Sequence, residues 1–203
     1  TIDTFLFNFY GMRISMPFKI EAVKYLDKKD ISVNTTGAVN TIISNEGKLK
    51  GYNTDYMAIN KILSKYNFIN RKIFIYGNGA MAINFIHYFS KITNCQIYVN
   101  SRNNKKLQLL KRKFKFINIL SVIKIKNSNF SIFINATPVT SNNNLFDKCI
   151  LNNSALFFDC PIKILKKTFL QTIAHKYKKT CIDGNQLYSN QRFFQEKIYL
   201  NGL

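Results

Sequence analysis

The sequence predicts an α/β protein in two parts, a parallel-sheet domain in the middle of the chain and a smaller α/β domain made mainly from its first third. Three observations predict it. Short apolar runs alternate with helix-period segments from residue 71 onward. One of those runs stops at a Gly-rich turn. The first third instead carries short helical and hairpin signals.

Taken in order, Phe18–Leu26 follows Pro17 and places Ile20, Val23 and Leu26 at helical spacing, which predicts an amphipathic helix. Ile42 and Ile43, then Asn45-Glu46-Gly47 and Leu49, predict a hairpin around an Asn/Gly turn. Thr54-Asp55 ahead of Ile59, Ile62 and Leu63 reads as an N-cap and a helix. Ile73–Tyr76 is a buried strand ending at Gly77. A helix over Ala82–Ile92 follows, then a strand at Gln96–Val99 and a helix over Lys105–Phe114. Phe130–Ile134 and Leu156–Phe158 supply two more strands, and a closing helix begins at about Gln186. The Phe-rich opening, Thr1–Tyr10, reads as starting inside a packed element.

Composition narrows the function classes. With 203 residues, 46% hydrophobic and 20% charged, the chain can bury one large core or two small ones. No apolar run is long enough to span a bilayer and no basic-then-apolar signal segment opens the chain. The four cysteines, Cys95, Cys149, Cys160 and Cys181, are scattered, and His87 and His175 complete no pair with them, so zinc-ligand spacing is absent. They are expected to be reduced packing residues of a cytoplasmic protein. The net charge of +20 raises nucleic-acid binding as a function. The lysines are spread along the whole chain, however, so no specific nucleic-acid partner is expected. Diffuse charge of this kind helps anionic small molecules approach.

Gly77-Asn78-Gly79-Ala80-Met81-Ala82 is G-x-G-x-x-A between a predicted strand and a predicted helix. Gly77 permits a tight turn, Gly79 lets backbone approach a pyrophosphate, and Ala82 lets the helix pack on the sheet. The helix amino terminus offers N–H groups to phosphates. A plain strand–turn–helix is the alternative. After the second strand, Asn100-Ser101-Arg102-Asn103-Asn104-Lys105 has no acid to hold a ribose 2′-hydroxyl, and Arg102 suits a 2′-phosphate. The reading is a Rossmann-like domain that binds NADP rather than NAD; a solvated basic loop is the alternative.

Three further segments carry more polar detail than folding needs. Ser15-Met16-Pro17-Phe18-Lys19 sets a lysine at a predicted helix start, where the macrodipole disfavours it. Gly37-Ala38-Val39-Asn40-Thr41 and Gly51-Tyr52-Asn53-Thr54-Asp55 are the others. Together they resemble the shikimate dehydrogenase family, whose stretches read roughly N-V-T-x-P-F-K, G-A-V-N-T and G-x-N-T-D. The order of motifs continues through the glycine loop, Ser101-Arg102-Asn103, Asn135-Ala136-Thr137-Pro138, Asp159, and Gly184 to Gln191, where Leu187 and Tyr188 replace the usual pair.

The resemblance implies reversible reduction of 3-dehydroshikimate to shikimate with NADPH. It makes Lys19 and Asp55 the acid–base pair. It assigns the substrate to Ser15, Asn40 and Gln191, and the cofactor to Gly77, Asn78, Gly79, Ala80, Ser101, Arg102, Asn135, Thr137 and Gly184. The substrate domain is expected to be reduced, covering residues 1–66 and completed by helix 186–203. Residues 67–185 form the Rossmann-like NADP-binding domain, and the substrate is expected in the cleft between the two.

The family's opening segment, with a Ser-x-Ser pair that holds the substrate carboxylate, has no counterpart here. The usual Asn of the first motif is Arg13, which either binds a carboxylate or points to solvent. Ala58 and Thr140 replace common glycines. Cys160-Pro161-Ile162-Lys163 stands where a substrate-contacting tyrosine often follows the Asp. A fragment, a shortened enzyme completed by self-association as a homodimer, and an eroded copy all fit these departures. An NADP-binding remnant without catalysis and a quinate/shikimate dehydrogenase therefore stay open as rivals.

Overall fold

The computed structural model describes residues 9–121, 128–141, 154–162 and 166–201. The Phe-rich opening up to Asn8, Cys149 and Lys163 lie outside the described residues. The chain divides into two compact units: one runs to Lys65 and resumes at Tyr188, and the other is Tyr66–Leu187.

Among the described residues, the first unit is a four-stranded sheet with two helices from the first third of the chain. Strands β1 (Gly11–Arg13), β2 (Lys28–Lys29), β3 (Thr41–Asn45) and β4 (Lys48–Tyr52) lie in the order β1-β3-β4-β2, with only β2 and β4 parallel. The hairpin is present as the sequence predicts. Glu46 and Gly47 take φ 51° and 71°, the left-handed pair that a two-residue hairpin loop needs. Leu26, Val33, Val39, Ile42 and Leu49 form the core on one face.

Helix α1 (Ile31–Thr36) was not evident in the sequence, because Ile-Ser-Val-Asn-Thr-Thr is rich in poor helix formers. It is made by its caps. The Asp30 carboxylate accepts from the Ser32 N–H at 2.8 Å, and Gly37 closes the helix at φ 67°.

The helix predicted over 18–26 is instead a 3-10 turn, Glu21–Tyr25. Both ends of this segment are tied to neighbours: the Lys19 carbonyl accepts from the Val39 N–H at 2.8 Å, and the Asp27 N–H donates to the Leu49 carbonyl at 3.0 Å. Ile20 remains 54% exposed while Val23 and Leu26 pack against the core, so only part of the apolar stripe is buried and a longer helix is not propagated. Helix α2 (Thr54–Leu63) starts one residue earlier than predicted. Asn53 is its N-cap, accepting from the Tyr56 N–H at 3.1 Å.

Among the described residues, the second unit is a six-stranded parallel sheet. Its strands are β5 (Lys72–Tyr76), β6 (Gln96–Asn100), β7 (Asn118–Ile119), β8 (Phe130–Asn135), β9 (Ser154–Asp159) and β10 (Thr180–Asp183). The order β10-β9-β8-β5-β6-β7 runs outward from β5 to one side and then, after β7, to the other, which is the doubly wound Rossmann topology. Helices α3 (Ala80–Phe89), α4 (Asn104–Lys113), α5 (Phe169–Lys176) and α6 (Gly184–Asn201) complete the described elements. Thr168-Phe169-Leu170-Gln171 forms a capping box that starts α5. Phe74, Phe133 and Phe157 fill the core on one face with Leu170 and Ala174; Phe85 of α3 meets Phe158 edge-on at 4.9 Å. No helix among the described residues is long and apolar enough to cross a membrane.

Strand register keeps the carboxyl ends level. Asn100, Tyr76, Asn135, Asp159 and Asp183 are successive partners across the sheet. Two of them are locked together, since Asn135 Nδ2 donates to Asp159 Oδ1 at 2.7 Å and the Thr168 hydroxyl donates to the other carboxylate oxygen. Asp159 is fully buried. That desolvation raises its pKa from the ordinary 3.8, against the two hydrogen bonds that favour the charged form; Asp183 nearby pushes the same way as burial. Beyond this row, a Cβ on Gly184 would run into the Pro161 carbonyl oxygen and lie 2.6 Å from that of Cys160, so no side chain fits.

Two outcomes are expected. Gly184→Ala, which forces backbone apart, should destabilise the protein by about 1–3 kcal/mol, read from denaturant melts. For Asp159, the native state retains a proton that the unfolded chain releases just above 3.8, so its contribution to stability falls as pH rises through the window up to the raised value. The thermal midpoint of Asp159→Asn minus that of the wild type should therefore increase with pH from 4 to 7; a pH-independent difference would show that the carboxyl is not held protonated.

Candidate active site

In the first unit, folding brings Lys19 and Asp55 together although 36 residues separate them. Lys19 Nζ donates to Asp55 Oδ2 at 2.6 Å, with the two side chains only 17% and 6% exposed. Asp55 is the second residue of α2, where the helix dipole stabilises a carboxylate. The Lys19 carbonyl bonds to Val39, which places the lysine backbone beside the segment that ends in Asn40. A pair so shielded is held in one geometry.

Asn40 is completely buried. Its backbone carbonyl accepts from the Ile14 N–H at 2.8 Å and its N–H donates to the Tyr52 carbonyl at 3.0 Å. Its side-chain Oδ1 accepts from the Thr54 N–H at 2.9 Å and from the hydroxyls of Thr54 and Thr41, both at 3.0 Å. The backbone donor of Thr54 fixes which end of the amide is oxygen. The other end, Nδ2, is buried and has no hydrogen-bond partner among the described residues. An orphaned buried donor is costly unless a ligand completes it.

Gln191 lies on α6 and is buried; its Oε1 accepts from Arg13 Nη2 at 3.4 Å, leaving the amide NH₂ as a donor. One turn on, Gln195 Nε2 donates to Thr41 Oγ1 at 2.9 Å. Ser15 is exposed, its hydroxyl turned to the Met16 carbonyl at 3.4 Å, so it shares no hydrogen bond with this set. Thr41, Thr54 and Gln195 were missed in the sequence. The two threonines stand inside the quoted motifs, and Gln195 repeats Gln191 at i+4, the spacing that sets two side chains on one helix face.

In the second unit the glycine turn lies at the carboxyl end of β5, where the sheet order reverses between β5 and β8. Gly77 takes φ 134°, and a Cβ there would stand 3.0 Å from the Ala136 carbonyl oxygen. A Cβ on Gly79 meets nothing within 4 Å, so the space before α3 is open. Gly79 is the N-cap of α3 and supplies no side-chain cap, which leaves the first N–H groups, including that of Ala80, facing that space. A pyrophosphate fits such a cradle.

Asn78 Nδ2 donates to Ser101 Oγ at 2.7 Å and to the Asn103 carbonyl at 3.3 Å, tying the turn to the loop after β6. Arg102 in that loop is exposed. Asn135 Oδ1 accepts from the Thr137 N–H at 3.2 Å and its hydroxyl at 2.7 Å, and Thr137 Cγ2 stands beside Gly77. The turn, the β6 loop and the β8 end are thus one cluster. Gly184 is held separately, against Cys160 and Pro161 beyond β9.

Residues 2–42 match the model of the shikimate dehydrogenase substrate binding domain. A shikimate dehydrogenase-like protein of Haemophilus influenzae is 28% identical, with 93% of this chain and 74% of the relative covered. A solved shikimate dehydrogenase in complex with NADP+ superposes with a TM-score of 0.78 at 26% identity, covering all of this chain and 75% of that one. The NADP(+)-dependent shikimate dehydrogenase of Methanococcus maripaludis is 35% identical over 190 residues, which are 88% of this chain and 68% of the relative. Similarity at that level over that length, joined to the glycine turn and the Lys19–Asp55 pair, shows that the chain belongs to the shikimate dehydrogenase family.

Proposed function

We propose that the chain is an NADP-dependent shikimate dehydrogenase, which reversibly reduces 3-dehydroshikimate to shikimate for aromatic amino acid biosynthesis. The observation that carries this reading is the shielded Lys19–Asp55 pair at 2.6 Å, in the same unit as a buried amide donor that lacks a partner. The names of the relatives support it.

Reduction of a ring ketone needs a proton at the carbonyl oxygen as hydride arrives at carbon. Lys19 donates that proton, and Asp55, hydrogen-bonded to the ammonium, orients it and offsets its charge. Asn40 Nδ2 and the free amide of Gln191 donate to substrate hydroxyls. The Ser15 hydroxyl reaches the substrate by rotating from the Met16 carbonyl.

NADP is held by the α3 amino terminus with Gly77, Asn78, Gly79 and Ala80, and at its 2′-phosphate by Ser101 and Arg102; Asn135, Thr137 and Gly184 line the remaining edge. When bound in reduced form, the cofactor supplies the hydride. The same reading has the protein working in the cytoplasm as a homodimer. The free thiols of Cys95 and Cys181 support the compartment, and exposed Met16, Phe18 and Ile31 are apolar surface for self-association.

With shikimate and NADP+, Lys19→Gln should lower kcat by about 10²- to 10⁴-fold, since proton transfer in the transition state is lost. Absorbance of NADPH gives the rate, and quinate in place of shikimate tests the related substrate. Unchanged turnover in the variant, or none in the folded wild type, counts against the reading; the second result favours an NADP-binding remnant. Arg102→Ala should raise KM for NADP+ by about tenfold or more and leave that for NAD+ in place, because a charge-assisted hydrogen bond to the 2′-phosphate contributes about 1.5–3 kcal/mol.

A further inference from the structure

We propose that Arg13 is the counter-ion of the substrate's carboxylate and so sets specificity for an acid over an uncharged ring of the same shape. The proposal rests on the shikimate dehydrogenase reading above and adds a residue to its substrate site.

Arg13 ends β1 and is the direct ladder partner of Thr41 in β3, so the two side chains leave the sheet on the same face. At this end of the sheet that face is polar, next to the apolar cluster of Ile43, Tyr52 and Ile198. Thr41 Oγ1 bonds to the Asn40 amide and receives Gln195, while Arg13 Nη2 donates to Gln191 one helical turn away. The residue after Arg13, Ile14, donates its N–H to the Asn40 carbonyl. Thr41 is therefore flanked on one side by the guanidinium and on the other by the amide with the orphaned Nδ2.

The charges decide what the guanidinium does there. Lys19 and Asp55 are paired and sum to zero, so they leave no net charge to neutralise a carboxylate. Among the described residues no carboxylate pairs with Arg13. Its one hydrogen bond there is long, at 3.4 Å, and its Cζ lies 5.5 Å from the Tyr188 ring centroid. Ring and glutamine hold the planar group from the side and leave most of its N–H fork unused. A fork of that shape takes a carboxylate by two parallel bonds. A cation standing among uncharged donors (Asn40 Nδ2, the Gln191 amide) makes a site for an anion that also carries hydroxyl acceptors.

The test compares shikimate with its methyl ester on wild type, Arg13→Ala and Arg13→Lys, by turnover with NADP+ and by calorimetric binding. The wild type should prefer the acid. Arg13→Ala should raise KM and Kd for the acid about ten- to hundredfold, the range for hydrogen bonds to a charged group, with a smaller change in kcat. Its acid-to-ester ratio should fall to near one, and Arg13→Lys should recover part of it as a point charge without the fork. A purely structural role for Arg13 would weaken both ligands alike. Retention of the acid preference in Arg13→Ala, or equal binding of acid and ester by the wild type, overturns the proposal. Wild type that binds the acid through Arg13 yet reduces no NADP+ leaves it standing and refutes the dehydrogenase reading alone.

Discussion

The first unit depends on the burial of Asn40. Its carbonyl, its N–H and its side-chain oxygen are all engaged, so the end of β1, the start of β3, the end of β4 and the start of α2 meet at one residue. Replacing it with an apolar residue would strand the Thr54 N–H and free two hydroxyls in the interior. The same contacts fix Thr54, and Thr54 fixes its neighbour Asp55 at the start of the helix. Asp55 in turn holds Lys19, whose backbone is bonded to Val39. A single buried amide thus sets the stage for the ion pair, and it keeps one donor without a partner among the described residues.

The second unit is governed by the register of its parallel sheet. Level carboxyl ends put Asn100, Tyr76, Asn135 and Asp159 in a row, and the glycine turn opens at the one place where the chain reverses direction across the sheet. Asp159 has no obvious catalytic use there. Buried with its proton favoured, it anchors Asn135 and Thr168 and so positions Thr137 against Gly77. This polar clamp is expensive to desolvate, and its benefit is the fixed shape of the edge proposed to take the cofactor.

Electrostatics act at two ranges. The net charge of +20 is carried by many dispersed lysines and attracts anions without distinguishing them. Discrimination needs charges held in place. Of those in the described sites, Lys19 is neutralised by Asp55, while Arg13 is fixed by Tyr188 and Gln191, and Arg102 stands at the loop after β6. The acids are few, but Asp30, Asp55, Asp159 and Asp183 each occupy a cap or a clamp.

The sequence by itself determined the parallel α/β class, the glycine turn, the Asn/Gly hairpin and the residue types of the site, because apolar periodicity and backbone-dictated glycines are local signals. It placed Lys19, Asn40 and Asp55 in three motifs as a pattern without geometry. The helix expected over 18–26 failed since its ends are tied to neighbouring segments and Ile20 of its stripe stays exposed; α1 was invisible because caps, and not propensity, make it. Only the tertiary structure decided that Asn40 has a spare donor among the described residues, that Gln195 and the two threonines complete its network, and that Arg13 faces Gln191. Those facts depend on which side chains meet after strands pair, and hydrogen-bond satisfaction is a property of the whole packed set rather than of any stretch of chain.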